Sequence, residues 1–205
     1  MRKEITLELL QSLKYGTDRE LLETAVQSGD AFVDIYDTYT WYRAIGTAVA
    51  PRSILELGVR FGYSAIAMIK GAQLAGVQEI AYTGLDAEVD GIESNVIAAE
   101  NIERVTGIKP VIIKVNTSDT QLPCFPVCDI VHVDGDHSVI GIATELVIAE
   151  MFVSDDGIIL VDDCDAMHIG NAVDALCRLI HIPLLILPTV HSLSVIDLKQ
   201  KNKEK

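Results

Sequence analysis

Residues 54–65 read ILELGVRFGYSA. An apolar run carrying one acid, Glu56, breaks at Gly58 and again at Gly62, then resumes after Ser64 as a segment of helical texture. Glycine at both breaks lets the chain turn tightly and bring bare backbone close to a ligand, while a helix starting near Tyr63 points its first N–H groups at the same place. The spacing E-x-G-x-x-x-G differs from the G-x-G-x-x-G of dinucleotide binders, and a glycine turn after a first strand also occurs as a turn and nothing more. Its meaning depends on what surrounds it.

Toward the C terminus, short β-branched runs alternate with helix-length stretches. SILEL, EIAYTGLD, PVIIKVN, DIVHVD, GIILVD, PLLILP and SLSVIDL are separated by segments such as GYSAIAMIKGAQLAG, SNVIAAENIERVTG and SVIGIATELVIAEMF. Continuous apolar strands alternating with helices imply a parallel sheet covered on both faces. Only PTVH joins the last two runs, too little for a helical crossover, so the final strand is expected to run antiparallel. The fold class is therefore α/β, a doubly wound seven-stranded sheet, mostly parallel with an antiparallel last strand and helices on both faces. Toward the N terminus the texture is helical, through LELLQSL, DRELLETAVQ with Asp18 as its cap, and DIYDTYTWYRAIGTAVA. This divides the chain into an N-terminal helical extension or lid (1–50), a ligand-binding domain (51–198) and a solvated tail, KQKNKEK (199–205).

Composition excludes several classes. A chain of 205 residues that is 49% hydrophobic suits one compact domain, large enough to bury roughly 70% of its unfolded surface. The formal net charge of −14 would repel a phosphate backbone, so a nucleic acid partner is not expected. No apolar run approaches the ~20 residues that span a bilayer, and Glu4, Glu8 and Gln11 interrupt what would otherwise be a signal core, so the chain reads as cytoplasmic with no membrane partner. Cys124, Cys128, Cys164 and Cys177 form neither CxxC pairs nor zinc spacings with histidine, and read as reduced thiols.

In open α/β sheets, ligands bind beyond the carboxyl ends of the strands. That rule selects Glu56 to Ser64, Asp86, Asn116 to Asp119, Asp134 to His137, and Asp162 to Asp165. An acid ending the second strand, here Asp86, can accept hydrogen bonds from both ribose hydroxyls, or can cap a helix. Asp134, Asp162 and Asp163 end two strands that a right-handed winding places side by side. Each alone reads as a cap, but three carboxylates in one cleft repel one another unless a cation neutralises them, and hard oxygen donors suit Mg²⁺. Such an ion would orient a substrate hydroxyl and lower its pKa. His137, three residues after Asp134 and expected on the first turn of the next helix, is of the type to take the proton, with His168 as second candidate. His132, inside VHV, reads as a buried, hydrogen-bonded strand residue; His181 and His191 carry no pattern.

ILELGVRFGYS, TGLDAE, VHVDGDHS and GIILVDDCD, in this order over roughly residues 50–165, resemble the class I S-adenosylmethionine-dependent methyltransferases. The resemblance is narrower still to the branch containing catechol O-methyltransferase and the macrolide-sugar O-methyltransferases, in which VDGDH and a downstream acidic pair build a magnesium site. It implies a Rossmann-like fold, S-adenosyl-L-methionine as cofactor, and Mg²⁺ on Asp134, Asp162 and Asp163. Carried over by position, Glu56, Gly58, Gly62 and Ser64 would hold the methionine part, Asp86 the ribose and the loop with Asn116, Thr117 and Ser118 the adenine, with Asp134 completing the cofactor set. His137 stands where the sugar enzymes carry a histidine, and the catechol enzyme a lysine, that takes the substrate proton. The catechol branch's tryptophan and lysine are replaced here by Gly135, Asp136 and His137, and no NPPY-like sequence occurs. A hydroxyl on a small molecule of sugar or polyketide type is therefore expected, not a catechol or a nucleic acid base. Two other classes stay open: a non-catalytic cofactor-binding relative, and a nicotinamide-dependent enzyme on the same sheet. Residues 31–42, AFVDIYDTYTWY, concentrate Phe32, Tyr36, Tyr39, Trp41 and Tyr42, which either line a pocket or pack on the body of the protein, and they leave a homo-oligomer open.

Overall fold

The computed structural model describes residues 2–14, 36–88, 93–117 and 123–202. DRELLETAVQ with Asp18, together with Phe32 and Ser118, lies outside the described residues. Seven strands form one sheet: β1 (Ser53–Leu57), β2 (Ala81–Asp86), β3 (Val111–Lys114), β4 (Cys128–Val133), β5 (Val153–Val161), β6 (Leu185–Leu187) and β7 (Leu193–Asp197). Their order is β3-β2-β1-β4-β5-β7-β6. All pairings are parallel except those of β7, which runs antiparallel to both β5 and β6 and is inserted between them. The expected reversal at the last strand is present, set by the short connection from β6.

Six α-helices accompany the sheet among the described residues: α1 (Leu7–Leu13), α2 (Tyr36–Val49), α3 (Tyr63–Leu74), α4 (Ser94–Thr106), α5 (Val139–Phe152) and α6 (Met167–Ile180). A 3₁₀ helix over Leu198–Asn202 follows β7, so the stretch expected as a solvated tail from 199 opens with a regular turn. No helix among the described residues is long and apolar enough to cross a membrane.

Strand periodicity sorts the apolar residues into two layers. Ile54, Ile130, Ile158 and Leu160 pack beneath residues of α1, α2 and α3 such as Leu10, Ile45, Ile66 and Met68. Their neighbours along the same strands, Leu55, Val131, Ile159 and Val161, pack beneath α5 and α6 through Ile142, Leu146, Ile169 and Val173. Each such side chain, fully buried, contributes about 1.5–3 kcal/mol. The same alternation puts Glu56 and His132 on the α2–α3 side. The two are register partners on β1 and β4, so an acid and an imidazole lie side by side in an otherwise apolar layer.

Helices α2 and α3 cross at backbone contact. A Cβ at Gly46 would lie 2.1 Å from the Met68 carbonyl oxygen, and one at Gly71 would lie 2.2 Å from that of Arg43. This approach brings the middle of α2, with Tyr39 and Tyr42, over the ends of the central strands.

The N-terminal segment is clasped to the last strand. The Arg2 guanidinium donates to both Asp197 carboxylate oxygens, at 2.6 and 3.2 Å, and to the Asp156 carbonyl oxygen, at 2.6 Å, while the Ile5 N–H donates to Asp197 at 3.0 Å. Because β7 runs against its neighbours, its last residue, Asp197, lies level with Ile158 of β5, while Ser194 lies level with Val161 at the carboxyl end, so the clasp is on the side of the sheet away from that end.

Candidate active site

A cleft of about 800 Å³ opens where β1 to β5 end. Past β1 the backbone alternates into left-handed geometry, with φ of 85° at Gly58, 48° at Arg60 and 79° at Gly62. Gly58 also has no room for a side chain, since a Cβ there would lie 2.1 Å from the Asp134 carbonyl oxygen. The curled loop turns its amides inward: Val59 N–H and Arg60 N–H donate to Asp86 Oδ2 at 2.9 and 2.8 Å, and Glu88 N–H donates to Oδ1 at 2.7 Å. Asp86 thus ties the loop after β1 to the end of β2. Helix α3 then starts from Gly62 with no side-chain cap, and Phe61, Tyr63 and Ser64 belong to the cleft wall, so its N-terminal N–H groups face a site suited to a carboxylate.

Of the positions predicted to meet a cofactor, Gly58, Ser64, Asp86, Thr117 and Asp134 line the cleft. Gly62 stands behind the wall as the helix cap, and Glu56 is fully buried. Glu56 acts through its neighbours: Ser64 Oγ and the Tyr82 hydroxyl both donate to it, and His132 Nδ1 lies 2.8 Å from its Oε1.

From His132 the network continues to the cleft floor. Its Nε2 lies 2.8 Å from the Tyr42 hydroxyl, which donates to Asp162 Oδ2 at 2.9 Å. The phenol has one proton, and with it on Asp162, Nε2 must donate to the phenol oxygen while Nδ1 donates to Glu56. This arrangement favours the protonated ring. Burial opposes that charge, but the hydrogen bond and charge of Glu56, with Asp134 and Asp162, outweigh it and raise its pKa. Both ring nitrogens are engaged in this network, although ligand atoms of His132, Asp134 and Asp162 also lie within 4.8 Å of one another. Burial, then Asp162, pushes the Tyr42 phenol far above its ordinary value, so it stays protonated. His132 is the buried strand residue expected. Among the aromatics, Trp41 joins the core, whereas Tyr42 is both buried and part of the cleft.

The strand ladder continues past the strand ends and aligns the acids: Asp134 N–H donates to the Leu57 carbonyl at 2.8 Å, and Asp162 N–H to that of Val133 at 3.1 Å. Asp163 adopts a left-handed φ of 56°, a geometry aspartate tolerates better than most residues, which turns its carboxylate into the same cleft. Burial, then Asp162, keeps Asp163 above the ordinary carboxylate range. Asp134 is pushed up to about 6 by burial, against the hydrogen bond from His137 and with further repulsion from Asp162 and Asp163. Ligand atoms of Asp134, His137 and Asp163 lie within 4.8 Å of one another.

His137 is not on the first turn of α5, as expected; the helix is capped by Ser138, whose side chain accepts from the Gly141 N–H. The aspartates at 134 and 136 and the glycine between them extend the loop by enough to hold the imidazole over the floor. There its Nε2 is 3.4 Å from Asp134 and its Nδ1 3.3 Å from Asp163. The hydrogen bond to Asp134, then the charges of Asp134 and Asp163, raise it to about 9. His168 does not line the cleft; its Nε2 is 2.7 Å from the His137 carbonyl oxygen and supports that loop from outside. His191, which carried no pattern, reaches the site from the β6–β7 loop, with Nδ1 3.6 Å from Asp163. Glu145, on α5, also joins the wall. Its signal was present in the sequence as one acid on the apolar face of SVIGIATELVIAEMF.

The family model described as a methyltransferase domain matches residues 55–164. The chain belongs to this family of methyltransferase domains, and its sheet is the Rossmann-like class I methyltransferase fold. Among solved structures, the SAH-bound methyltransferase PaMTH1 of Podospora anserina aligns at TM-score 0.67 and 19% identity, covering 93% of this chain and 92% of that one. An O-methyltransferase from Bacillus cereus in complex with SAH aligns at 0.65 and 16%, covering 93% and 96%. The TDP-rhamnose 3′-O-methyltransferase CalS11, an enzyme in calicheamicin biosynthesis, aligns at 0.63 and 15%, covering 97% of each chain. No curated protein matches the chain significantly.

Proposed function

We propose that the protein transfers a methyl group from S-adenosyl-L-methionine to a hydroxyl of a small molecule with the help of a divalent metal ion, and that it works in the cytoplasm. The observation that carries this reading is the convergence of Asp134, Asp162, Asp163 and His137 on one floor beside the loop of Gly58 to Ser64. The uncapped start of α3 and Ser64 suit the methionine carboxylate, Asp86 the ribose, and Asn116 and Thr117 the base. Acidic walls also suit a sulfonium cation. The comparisons support the reading: SAH is bound in two of the similar structures, and two are named as O-methyltransferases.

Asp134, grouped with Asp162 on one side and with Asp163 and His137 on the other, offers hard oxygen donors that suit a cation such as Mg²⁺. Asp134, raised to about 6 chiefly by burial, is also repelled by Asp162 and Asp163, and a bound cation relieves that repulsion. When bound, such an ion supplies a positive charge that orients an acceptor hydroxyl and lowers its pKa. The Tyr42 hydroxyl and the Asp163 N–H each donate to one oxygen of Asp162 and so fix its rotamer, and Tyr39 and Tyr42 line the cleft beside it. With the carboxylates neutralised, His137 loses the interactions that hold a proton on it and becomes the group able to accept the acceptor's proton.

Titration calorimetry tests this reading on chelator-stripped protein with S-adenosylhomocysteine, Mg²⁺ and NAD in turn. Saturable binding of the homocysteine product, a separate Mg²⁺ heat lost in Asp163→Ala, and no NAD binding are expected. Product binding without a metal heat would leave a methyltransferase whose acids act as caps. Absence of product binding would overturn the assignment.

A further inference from the structure

Helix α5 is apolar all round. Its inner face packs on the sheet through Ile142, Leu146 and Ala149. Its outer face carries Ile140, Ala143, Val147 and Met151, at intervals of three, four and four residues, which set them in one stripe along the helix. Ile140 is 77% exposed, Met151 65% and Val147 58%. Thr144 lies in the same stripe, and its hydroxyl donates back to the Ile140 carbonyl oxygen at 2.9 Å, so it brings no unpaired donor to the face. No residue of the stripe is charged. Glu150 at its edge is the only charged residue that α5 presents to solvent, since Glu145 is buried. The outer face of α4, by contrast, shows Glu100, Glu103 and Arg104. A surface helix needs an apolar stripe on one side only, and a helix apolar on both sides is suited to a neighbour on each.

Charge selects that neighbour. At a net charge of −14, two copies of the chain repel one another over most of their surface, and the α5 stripe is a face on which they meet without bringing acid to acid. We propose that a second copy of this chain docks on the stripe, α5 against α5 in antiparallel, about a two-fold axis midway between Glu145 and Leu146. Such an axis sets Ile140 of one copy against Met151 of the other and Thr144 against Val147, with the small Ala143 beside them admitting the helices to close range. Glu150 of each copy then falls opposite Gly141 of the other, in the first turn of its α5, where the helix dipole favours a negative charge. The pairing is thus complementary in charge as well as apolar. One helix pair buries less than the ~800 Å² per partner of a standard interface, so the dimer is a reversible one, with a dissociation constant of roughly 1–100 μM. No residue of the stripe lines the cleft, and the inference stands independently of the cofactor reading.

Sedimentation velocity on the full chain, over a concentration series from about 1 μM to about 1 mM, is the test. A monomer–dimer equilibrium is expected that tightens with added salt, because salt screens the repulsion between the copies and leaves an apolar contact intact. Val147→Arg puts like charges close to the two-fold axis and is expected to weaken the dimer by roughly 10- to 100-fold or more. Leu74→Arg, at a comparably exposed apolar position on α3, is expected to leave it unchanged. Should Val147→Arg fail to fold, wild-type protein labelled with ¹³C at the methionine methyls decides. The Met151 resonance should move with protein concentration while that of the buried Met68 stays in place, and a Met151 resonance that does not move overturns the proposal. A chain that stays monomeric throughout the series overturns it, as does a dimer indifferent to Val147→Arg. Binding of the monomer to phosphatidylcholine vesicles through the stripe, without self-association, puts a lipid surface in place of the second copy and overturns it too. A dimer sensitive to Val147→Arg in a protein that binds no S-adenosylhomocysteine upholds this inference and strikes the cofactor reading alone.

Discussion

His137 is held between two carboxylates, and its behaviour with pH follows from that. Its folded pKa of about 9, raised first by the hydrogen bond to Asp134, lies above its unfolded value near 6.5. The interaction therefore stabilises the metal-free fold fully below about pH 6.5 and is lost as pH climbs through about 9. Asp134, raised to about 6 by burial before any charge, acts in the same sense lower on the scale, losing its contribution as pH rises through about 6. The melting temperature of chelated protein should decline between neutral pH and about 9.5, and His137→Gln should flatten that decline in a series of thermal melts. With a true acceptor, the same substitution should lower kcat by 10²- to 10⁴-fold, roughly the share of a positioned base. Tyr42→Phe poses a different question. Removing one hydroxyl leaves the His132 Nε2–H and one Asp162 oxygen without their partner inside the protein, which costs about 1–3 kcal/mol and is read from urea unfolding. An unchanged midpoint would mean that the chain from Glu56 through His132 and Tyr42 to Asp162 does not hold the floor together.

Among the elements, the crossing of α2 over α3 governs the site most directly. Gly71→Ala adds a methyl where the Arg43 carbonyl oxygen lies 2.2 Å from the new carbon. The gain in helix propensity is about 1 kcal/mol, while forcing apart a packed contact costs about 1–3 kcal/mol, so a net loss of stability is expected. Because α2 carries Tyr39 and Tyr42, affinity for S-adenosylhomocysteine should fall with it; calorimetry on the folded variant checks this. The strands were legible in the sequence, since their apolar runs are continuous and β1, β2, β4 and β5 are each followed or ended by an acid or glycine at the sheet's carboxyl end. The acids Asp86, Asp134, Asp162 and Asp163 were legible for the same reason: the strand end fixes their place. The place of α2 was not, because an apolar helix says that it packs, not on which neighbour. His191 was unreadable too. It arrives through the reversal at β7, held where the Asp165 N–H donates to its own carbonyl and the Cys164 N–H to that of Ser192, at 3.2 Å each. Its local sequence, PTVHS, records none of that.

At the scale of the molecule, Asp86, Asp134, Asp162 and Asp163 gather where the strands end, and the opposite end of the sheet carries a contact of another kind. Arg2 and Asp197 are separated by 195 residues of chain, yet their charged groups are nearly buried together. Nothing about that clasp can form until β7 has been laid between β5 and β6, so its closure belongs late in the order of assembly, after the loop-closure entropy of nearly the whole chain has been overcome. Contacts formed after the transition state govern the rate of escape from the native state, not the rate of reaching it. Arg2→Ala should therefore leave the refolding arm of the chevron where it is and lift the unfolding arm, and a matching drop in refolding rate would place the clasp in the nucleus instead. A seal of this sort sets the protein's lifetime against proteases and heat through its kinetics, independently of how tightly the far end of the sheet holds its ligands.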